Sequence, residues 1–340
     1  METSPVFLNQ EASLRKKIKN YQGLAQELKH HLSKHPHDWG KFQSEFNIEL
    51  NGVFRDIMNF EKQSLAKGDE ESVYKLRRIF VNHLRKDFLY GDYIVWSLKK
   101  PYGYAGDFKI IDDIYRNDPQ TQGFDRLFDN YALMSAIAVA IRNRKEDVKK
   151  FMITLYEDHP SEKLRIMDIA SGPCRELKEF FASTGAASSS VMFDCYDQDG
   201  NAIQYAKELL GSFAQVLNFY EENVIKIALK KKIEPEMQSR YDVIYSTGLF
   251  DYLDHRLATR LVHNLRQFLR VDGRMFIANV REKYQNPSVH FLEWVGDWNL
   301  IYRTEEEFVR IFLDAGFNAD EIQVASEQQG ILQYVTASKT

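Results

Sequence analysis

Leu164-Arg-Ile-Met-Asp-Ile-Ala-Ser-Gly-Pro-Cys-Arg-Glu176 is a short apolar run that ends in an acid, a set of small residues and a glycine, and then opens a helical pattern. That is how a buried strand turns into a helix in a βαβ unit. Downstream the same grammar repeats. Ser190-Val-Met-Phe-Asp-Cys-Tyr196, the segment around Val216 to Tyr220, Tyr241-Asp-Val-Ile-Tyr-Ser246 and Gly273-Arg-Met-Phe-Ile-Ala-Asn279 read as the second to fifth strands. Helices fall near Arg175 to Ser183, Ala202 to Leu210 and His255 to Leu269, so the crossovers are right-handed and the strands parallel. The end differs: Glu321 to Ser326 and Ile331 to Ala337 flank Glu327-Gln-Gln-Gly330, an antiparallel hairpin. The fold class is therefore α/β, with a mostly parallel sheet, an antiparallel terminal hairpin and a helical N-terminal domain.

Upstream, apolar residues recur at helical spacing. Leu14, Ile18, Tyr21, Ala25, Leu28 and Leu32 form one stripe; Phe46, Leu50, Val53, Ile57 and Phe60 form a second; Val73, Leu76, Phe80 and Leu84 form a third. Breakers at His35-Pro36-His37, Lys67-Gly68-Asp69 and His159-Pro160 separate the segments. A further helix is expected from Tyr131 to Leu155, striped by Met134, Ile137, Ile141, Val148 and Met152. The expected division is a helical covering domain over 1–130 and a ligand-binding domain over 131–340.

The chain has 340 residues, with 45 Lys and Arg against 49 Asp and Glu and a net charge of −4. No basic surface for nucleic acid is implied, and Lys230 to Lys232 beside Glu234 and Glu236 reads as a solvated loop. No run reaches the ~20 apolar residues of a membrane span, and Met1 to Gln10 lacks the pattern of a secretory leader. Two cysteines, Cys174 and Cys195, without a Cys-x-x-Cys pair suit a reducing compartment, so a cytoplasmic location and no metal are expected. His30, His31, His35 and His37 read as solvated histidines around a proline. Oligomeric state is left open, a homodimer through the N-terminal helices being the arrangement considered.

In a doubly wound sheet ligands bind at the carboxyl ends of the strands, where the strand order reverses. The first strand delivers Asp168, Ala170, Gly172 and Pro173 there, and the second delivers Asp197, whose two oxygens suit both hydroxyls of a ribose. Gln198 and Asp199 would lie beside an adenine edge, Asp199 serving equally as a helix cap, and Asn223 offers an amide to the ring. The run Asp168-x-x-x-Gly172, the acid Asp197 and Ser246-Thr-Gly-Leu-Phe-Asp-Tyr-Leu253 resemble the successive motifs of class I S-adenosylmethionine methyltransferases. Such a Rossmann-like sheet ends in an antiparallel strand, unlike that of nicotinamide enzymes, whose Gly-x-Gly-x-x-Gly turn is absent here. The resemblance implies S-adenosylmethionine as cofactor, S-adenosylhomocysteine as product, and Ser246, Thr247 and Gly248 as further cofactor contacts. Where that family carries two or three loop glycines, this chain has Ala170, Gly172 and Cys174. More narrowly, Gly103-Tyr-Ala-Gly-Asp107 with Ile169-Ala-Ser-Gly-Pro-Cys-Arg-Glu176 resembles bacterial methyltransferases known as 3-hydroxypalmitate methyl ester synthases, which implies O-methylation of a carboxylic acid such as a hydroxy fatty acid.

Pro101 to Asp107 is expected to form a lid, with Tyr102 contacting substrate and Tyr104 and Asp107 as catalytic candidates, against the plainer reading of a helix-joining turn. Phe250, Asp251 and Tyr252 after the fourth strand are expected to border the methyl group, Tyr252 being the third catalytic candidate. Trp298, Tyr302 and Arg303 are expected to wall an acceptor pocket, while core packing suits Trp294 better. Thr304 with Glu307 forms a capping box. Arg144 or Lys145 falls on an apolar helix face, where a guanidinium needs a partner: the methionyl carboxylate of the cofactor, the acid of a substrate, or a structural Asp or Glu. The function expected is methylation of a small molecule. Methylation at another oxygen or a nitrogen, and a non-catalytic nucleoside-binding protein that engages a partner through its helical half, remain open.

Overall fold

A computed structural model describes residues 5–159, 163–185 and 191–340. Pro160 and Ser190, which the sequence assigns to a breaker and to the start of the second strand, lie outside the described residues, as do residues 1–4. Seven strands form one sheet: β1 (Leu164–Ile169), β2 (Val191–Asp197), β3 (Leu217–Glu221), β4 (Tyr241–Ser246), β5 (Leu269–Val280), β6 (Ile322–Ser326) and β7 (Leu332–Ser338), in the order β3-β2-β1-β4-β5-β7-β6. β1 to β5 are parallel, β7 runs antiparallel to β5, and β6 antiparallel to β7. This is the order and polarity of the class I methyltransferase sheet. The central strands are buried along nearly their whole length, which is why their sequences are near-continuous apolar runs rather than alternating ones. The order reverses at β1, between β2 and β4, so the carboxyl ends of β1, β2 and β4 border the ligand crevice of such a sheet.

The helices are α1 (Pro5–Lys34), α2 (Trp39–Leu65), α3 (Glu70–Ile79), α4 (Asp92–Lys99), α5 (Phe108–Arg116), α6 (Gly123–Met134), α7 (Ala136–Asp158), α8 (Arg175–Thr184), α9 (Gly200–Leu210), α10 (Ile225–Leu229), α11 (His255–Phe268) and α12 (Glu305–Asp314). The expected single helix from Tyr131 to Leu155 is two, because Ser135 has extended backbone (ψ 147°) and its hydroxyl bonds back to Ala132. Met134 consequently leaves the apolar face and is 62% exposed, whereas Ile137, Ile141, Val148 and Met152 stay buried.

The chain forms two compact units, and their boundaries cut it repeatedly. One comprises Asn286–Asn299, Arg116–Val139 and the described part of Met1–Gly106; the other comprises Asp107–Tyr115, Ala140–Gln285 and Leu300–Thr340. A single cut after residue 130 does not capture this exchange, because an insert after β5 packs with the N-terminal helices and most of α5 packs with the sheet.

In the helical unit the first two stripes are buried throughout, and Leu76 and Phe80 carry the third into an aromatic core with Phe88, Phe128, Phe291 and Trp294. Trp294 is 1% exposed with its ring 5.6 Å from that of Phe80, a core role as expected. In the sheet unit, α11 and α12 bury Ala258, Leu261, Leu265, Phe308 and Phe312 beside Ile244, Met275 and Ile277. Among the described residues no helix is long and apolar enough to cross a membrane.

Candidate functional site

The loop after β1 is unusual in its backbone. Ala170, Gly172 and Cys174 all adopt left-handed φ, at 54°, 56° and 53°. Only glycine visits that region without a Cβ penalty. The alternate-residue spacing thus reproduces a three-glycine turn in which two positions are occupied by slightly larger residues. A Cβ placed on Gly172, or on Gly248 after β4, would meet nothing within 4 Å, so the backbone at both tips borders open space.

Asp197, at the end of β2, is 8% exposed and directs both oxygens at backbone: Oδ2 accepts from Gly172 N–H and Oδ1 from Asp199 N–H, each at 2.9 Å. Its carboxylate is thereby fixed against the first loop, and each oxygen retains acceptor capacity. Burial raises its pKa, while the same two N–H groups oppose the rise. Asp199 caps α9 through Asn201 N–H. Asn223 accepts from Ile225 N–H through Oδ1, leaving its amide nitrogen as the donor end, and Gln198 is exposed.

Asp168 lies one residue before the end of β1, 2% exposed, and its Oδ2 has no hydrogen-bond partner. Register pairs it with Cys195 on β2 and Tyr245 on β4. Ser171 Oγ, in the next loop, is also buried without a partner. Arg144, on α7, is 5% exposed; Nη1 donates to the Thr247 carbonyl just beyond β4, Nη2 to Tyr115 Oη at 3.5 Å, and Nε has no partner. The bidentate carboxylate partner considered for Arg144 is therefore not formed within the protein. Lys145, equally buried, does pair, with Glu179 and Glu146.

Several expected site residues have structural employment instead. The Ser246 hydroxyl donates to Ile169 O at 2.9 Å, tying β4 to β1, so its side chain is engaged away from a ligand. Phe250 is fully buried in the core beside α11, which removes it from the expected pocket border. Arg303 donates to Phe250 O at 2.8 Å, Asn279 Oδ1 at 2.5 Å and Leu253 O, and Asn279 in turn donates to Asp251. It braces the chain leaving β4. Asp107 is 1% exposed, accepts from Lys109 and Ile110 N–H at 3.0 Å and so caps α5. Trp298 is buried within the helical unit. Tyr102 and Tyr252 are 37% and 41% exposed, Tyr104 is half-buried, and Tyr302 lies in the segment leading to α12.

Sequence reasoning gave no role to two residues at this edge. Glu176, in the first turn of α8, is 7% exposed and accepts from Tyr245 Oη at 3.3 Å. Asp112 on α5 is fully buried, binds Arg175 through both oxygens at 2.5 and 2.8 Å, and accepts from Tyr205 Oη at 2.6 Å. It joins α5 to the start of α8 and the middle of α9. The Asp-Asp pair in Ile111-Asp-Asp-Ile114 was the only available signal, since one of two adjacent acids on an amphipathic helix must face the core.

No protein-family model matches the chain, and no curated protein matches it in sequence. Among solved structures it is similar to a possible exported protein from Bordetella parapertussis, with TM-score 0.58 and 16% identity, covering 77% of this chain and 95% of that one. It is also similar to the CMeT domain of the citrinin polyketide synthase (TM-score 0.49, 14% identity, 73% and 60% covered). A third neighbour is a magnesium protoporphyrin IX methyltransferase from Synechocystis with bound S-adenosylhomocysteine (TM-score 0.47, 11% identity, 72% and 97% covered). At these identities the likeness concerns the fold.

Proposed function

We propose that the chain is an S-adenosylmethionine-dependent methyltransferase acting on a small molecule. The observation that carries this reading is the set of unmatched buried polar atoms along one edge: an acceptor at Asp168 Oδ2, a hydroxyl at Ser171 and a guanidinium N–H at Arg144 Nε. Buried polar groups are otherwise almost always paired. An acidic acceptor and a cationic donor bordering the same edge of the sheet suit the two ends of an amino-acid zwitterion, so Asp168 would take the methionyl ammonium, and Arg144 with Ser171 its carboxylate. Asp197 would hold the ribose diol, with Gln198 and Asn223 toward adenine. The bound group supplies a methyl on a sulfonium. The residues of this chain then contribute alignment, which is worth ~7–11 kcal/mol in well-oriented reactions.

O-methylation of a carboxylic acid is the preferred reaction, resting on the narrower sequence resemblance. A carboxylic acceptor, with a reference pKa of ~4, is already ionised near neutrality and requires no general base. Tyr102, Tyr104 and Tyr252 belong to the proposal as acceptor-side residues. A cytoplasmic location belongs to it too, supported by the two free buried thiols.

Calorimetric titration with S-adenosylhomocysteine and with NADH tests the cofactor. Preferential S-adenosylhomocysteine binding is expected, weakened in Asp197→Ala by roughly tenfold to a hundredfold, the worth of ~1.5–3 kcal/mol of charge-assisted hydrogen bonds. Preference for NADH, or no nucleoside binding, overturns the assignment. Incubation with labelled S-adenosylmethionine and a metabolite extract is expected to yield a base-labile methyl ester. Label only on macromolecules removes the small-molecule claim, and binding without turnover leaves a non-catalytic nucleoside binder.

A further inference from the structure

Asp168 and Glu176 are an acidic pair without a counter-ion. Both are more than nine-tenths buried, and among the described residues neither has a cationic side chain within ion-pair distance. Asp168 faces Glu176 from α8, Asp197 from β2, Tyr245 from β4, and the thiols of Cys174 and Cys195, whose sulfurs lie within 4.8 Å of its carboxylate. Glu176 faces Tyr245, and from α7 it feels Arg144 and Lys145 through space; Tyr115 on α5 also lies within its field. Lys145 is held by Glu179 and Glu146, and two arms of Arg144 are held by Thr247 O and Tyr115 Oη.

One hydroxyl, that of Tyr245, lies against both acids: it donates to Glu176 Oε1 at 3.3 Å and also counteracts the rise at Asp168, whose Oδ2 has no hydrogen-bond partner among the described residues. Two ionised carboxylates cannot share so dry a place at reasonable cost, so a proton remains there. Burial pushes Asp168 well above the usual carboxylate range and Glu176 to about 7.

We infer that capture of the cofactor at this edge releases the proton which Asp168 and Glu176 hold between them, the ligand's ammonium taking over as their positive partner. The inference rests on the proposed cofactor reading. The carboxyl O–H bond breaks, the proton passes to the buffer, and no covalent bond forms. Below the titration of Glu176, near 7, the ligand must displace its proton, so affinity falls as pH falls; above it Glu176 is already ionised and that dependence levels off. This assigns Glu176, eight residues beyond the strand acid, to ligand recognition through its partner. It also assigns the edge a preference for cationic amines over neutral nucleosides.

The test is calorimetric titration of the intact protein with S-adenosylhomocysteine in buffers of different ionisation enthalpy, near pH 6.5. Release of about one proton per ligand is expected, with affinity rising up to about tenfold per pH unit from roughly pH 5.5 toward 7 and then flattening. Adenosine, which lacks the ammonium, is expected to bind without releasing a proton. Glu176→Gln, checked for folding by circular dichroism, is expected to release less than about half as much and to flatten the pH profile. Tyr245→Phe keeps both acids and is expected to retain the release. Binding without proton exchange, or equal release with adenosine, overturns the inference and leaves the cofactor reading intact; absence of binding at every pH overturns both. Purified protein holding a stoichiometric metal ion lost in Cys195→Ser also overturns it, because a cation on Asp168, Cys174 and Cys195 would then neutralise the pair.

Discussion

The loop after β1 and the segment after β4 follow strands that are neighbours in the sheet, yet their polar atoms are treated in opposite ways. After β4, Asp251 accepts from Asn279 and from Val280 N–H, Asn279 accepts from Arg303, and Arg303 reaches two further carbonyls. The polar groups there satisfy one another and hold the chain in one path. After β1, three residues sit in left-handed backbone, and Asp168 Oδ2 and Ser171 Oγ are buried without partners. One segment satisfies its own polar atoms; beside the other, buried polar atoms are left unmatched among the described residues. The contrast separates a brace from the edge of the proposed site more reliably than residue type, since an aspartate belongs to each.

The largest expected effect breaks the brace. Arg303→Met leaves Asn279 Oδ1 and the carbonyls of Phe250 and Leu253 without their donor, and thermal or denaturant melts are expected to show ~3–5 kcal/mol of destabilisation. A loss under ~1 kcal/mol would show that these contacts are incidental. The next effect sharpens the other side. Arg144→Met is expected to weaken S-adenosylhomocysteine by roughly tenfold to a hundredfold in calorimetry while leaving adenosine affinity unchanged, because only the former carries a carboxylate. Equal loss for both ligands would make Arg144 a structural residue. The smallest effect reads backbone strain. Left-handed backbone costs a non-glycine residue ~1–2 kcal/mol and glycine costs ~0.5–1 in unfolded-state entropy, so Ala170→Gly is expected to stabilise by roughly 0.5–1 kcal/mol. Destabilisation on melting would mean that the Ala170 methyl group makes contacts worth more than the strain.

Most of the sheet was legible because buried parallel strands must be apolar along their length, and the runs at Leu164, Val191, Tyr241 and Gly273 have no helical period. The break at Ser135 was not, since Tyr131-Ala-Leu-Met-Ser135 contains neither glycine nor proline and carries the helical pattern straight through. Within the site, positions set by a strand end, such as Asp168, Gly172 and Asp197, could be placed from the sequence alone. Residues whose role depends on which strand lies next to which could not. Arg303 reads as part of an acceptor-pocket wall until β5 is set beside β4, and Tyr245 reads as a strand tyrosine until register puts it across from Asp168. The cap at Asp107 was legible as well: followed by Phe108, Ile110 and Ile114 it has the form of an N-cap.

The Asp112 clamp has a practical consequence for anyone dissecting this protein. A fragment starting at Leu164 would contain every strand, yet Arg175, which opens α8, and Tyr205, midway along α9, would lose the carboxylate that binds them both. The segment carrying that carboxylate lies upstream of residues that belong to the helical unit, and the insert after β5 belongs to that unit as well. No single cleavage point therefore yields two self-sufficient fragments. Shuffling the halves of this chain with those of a relative would have to exchange several stretches together.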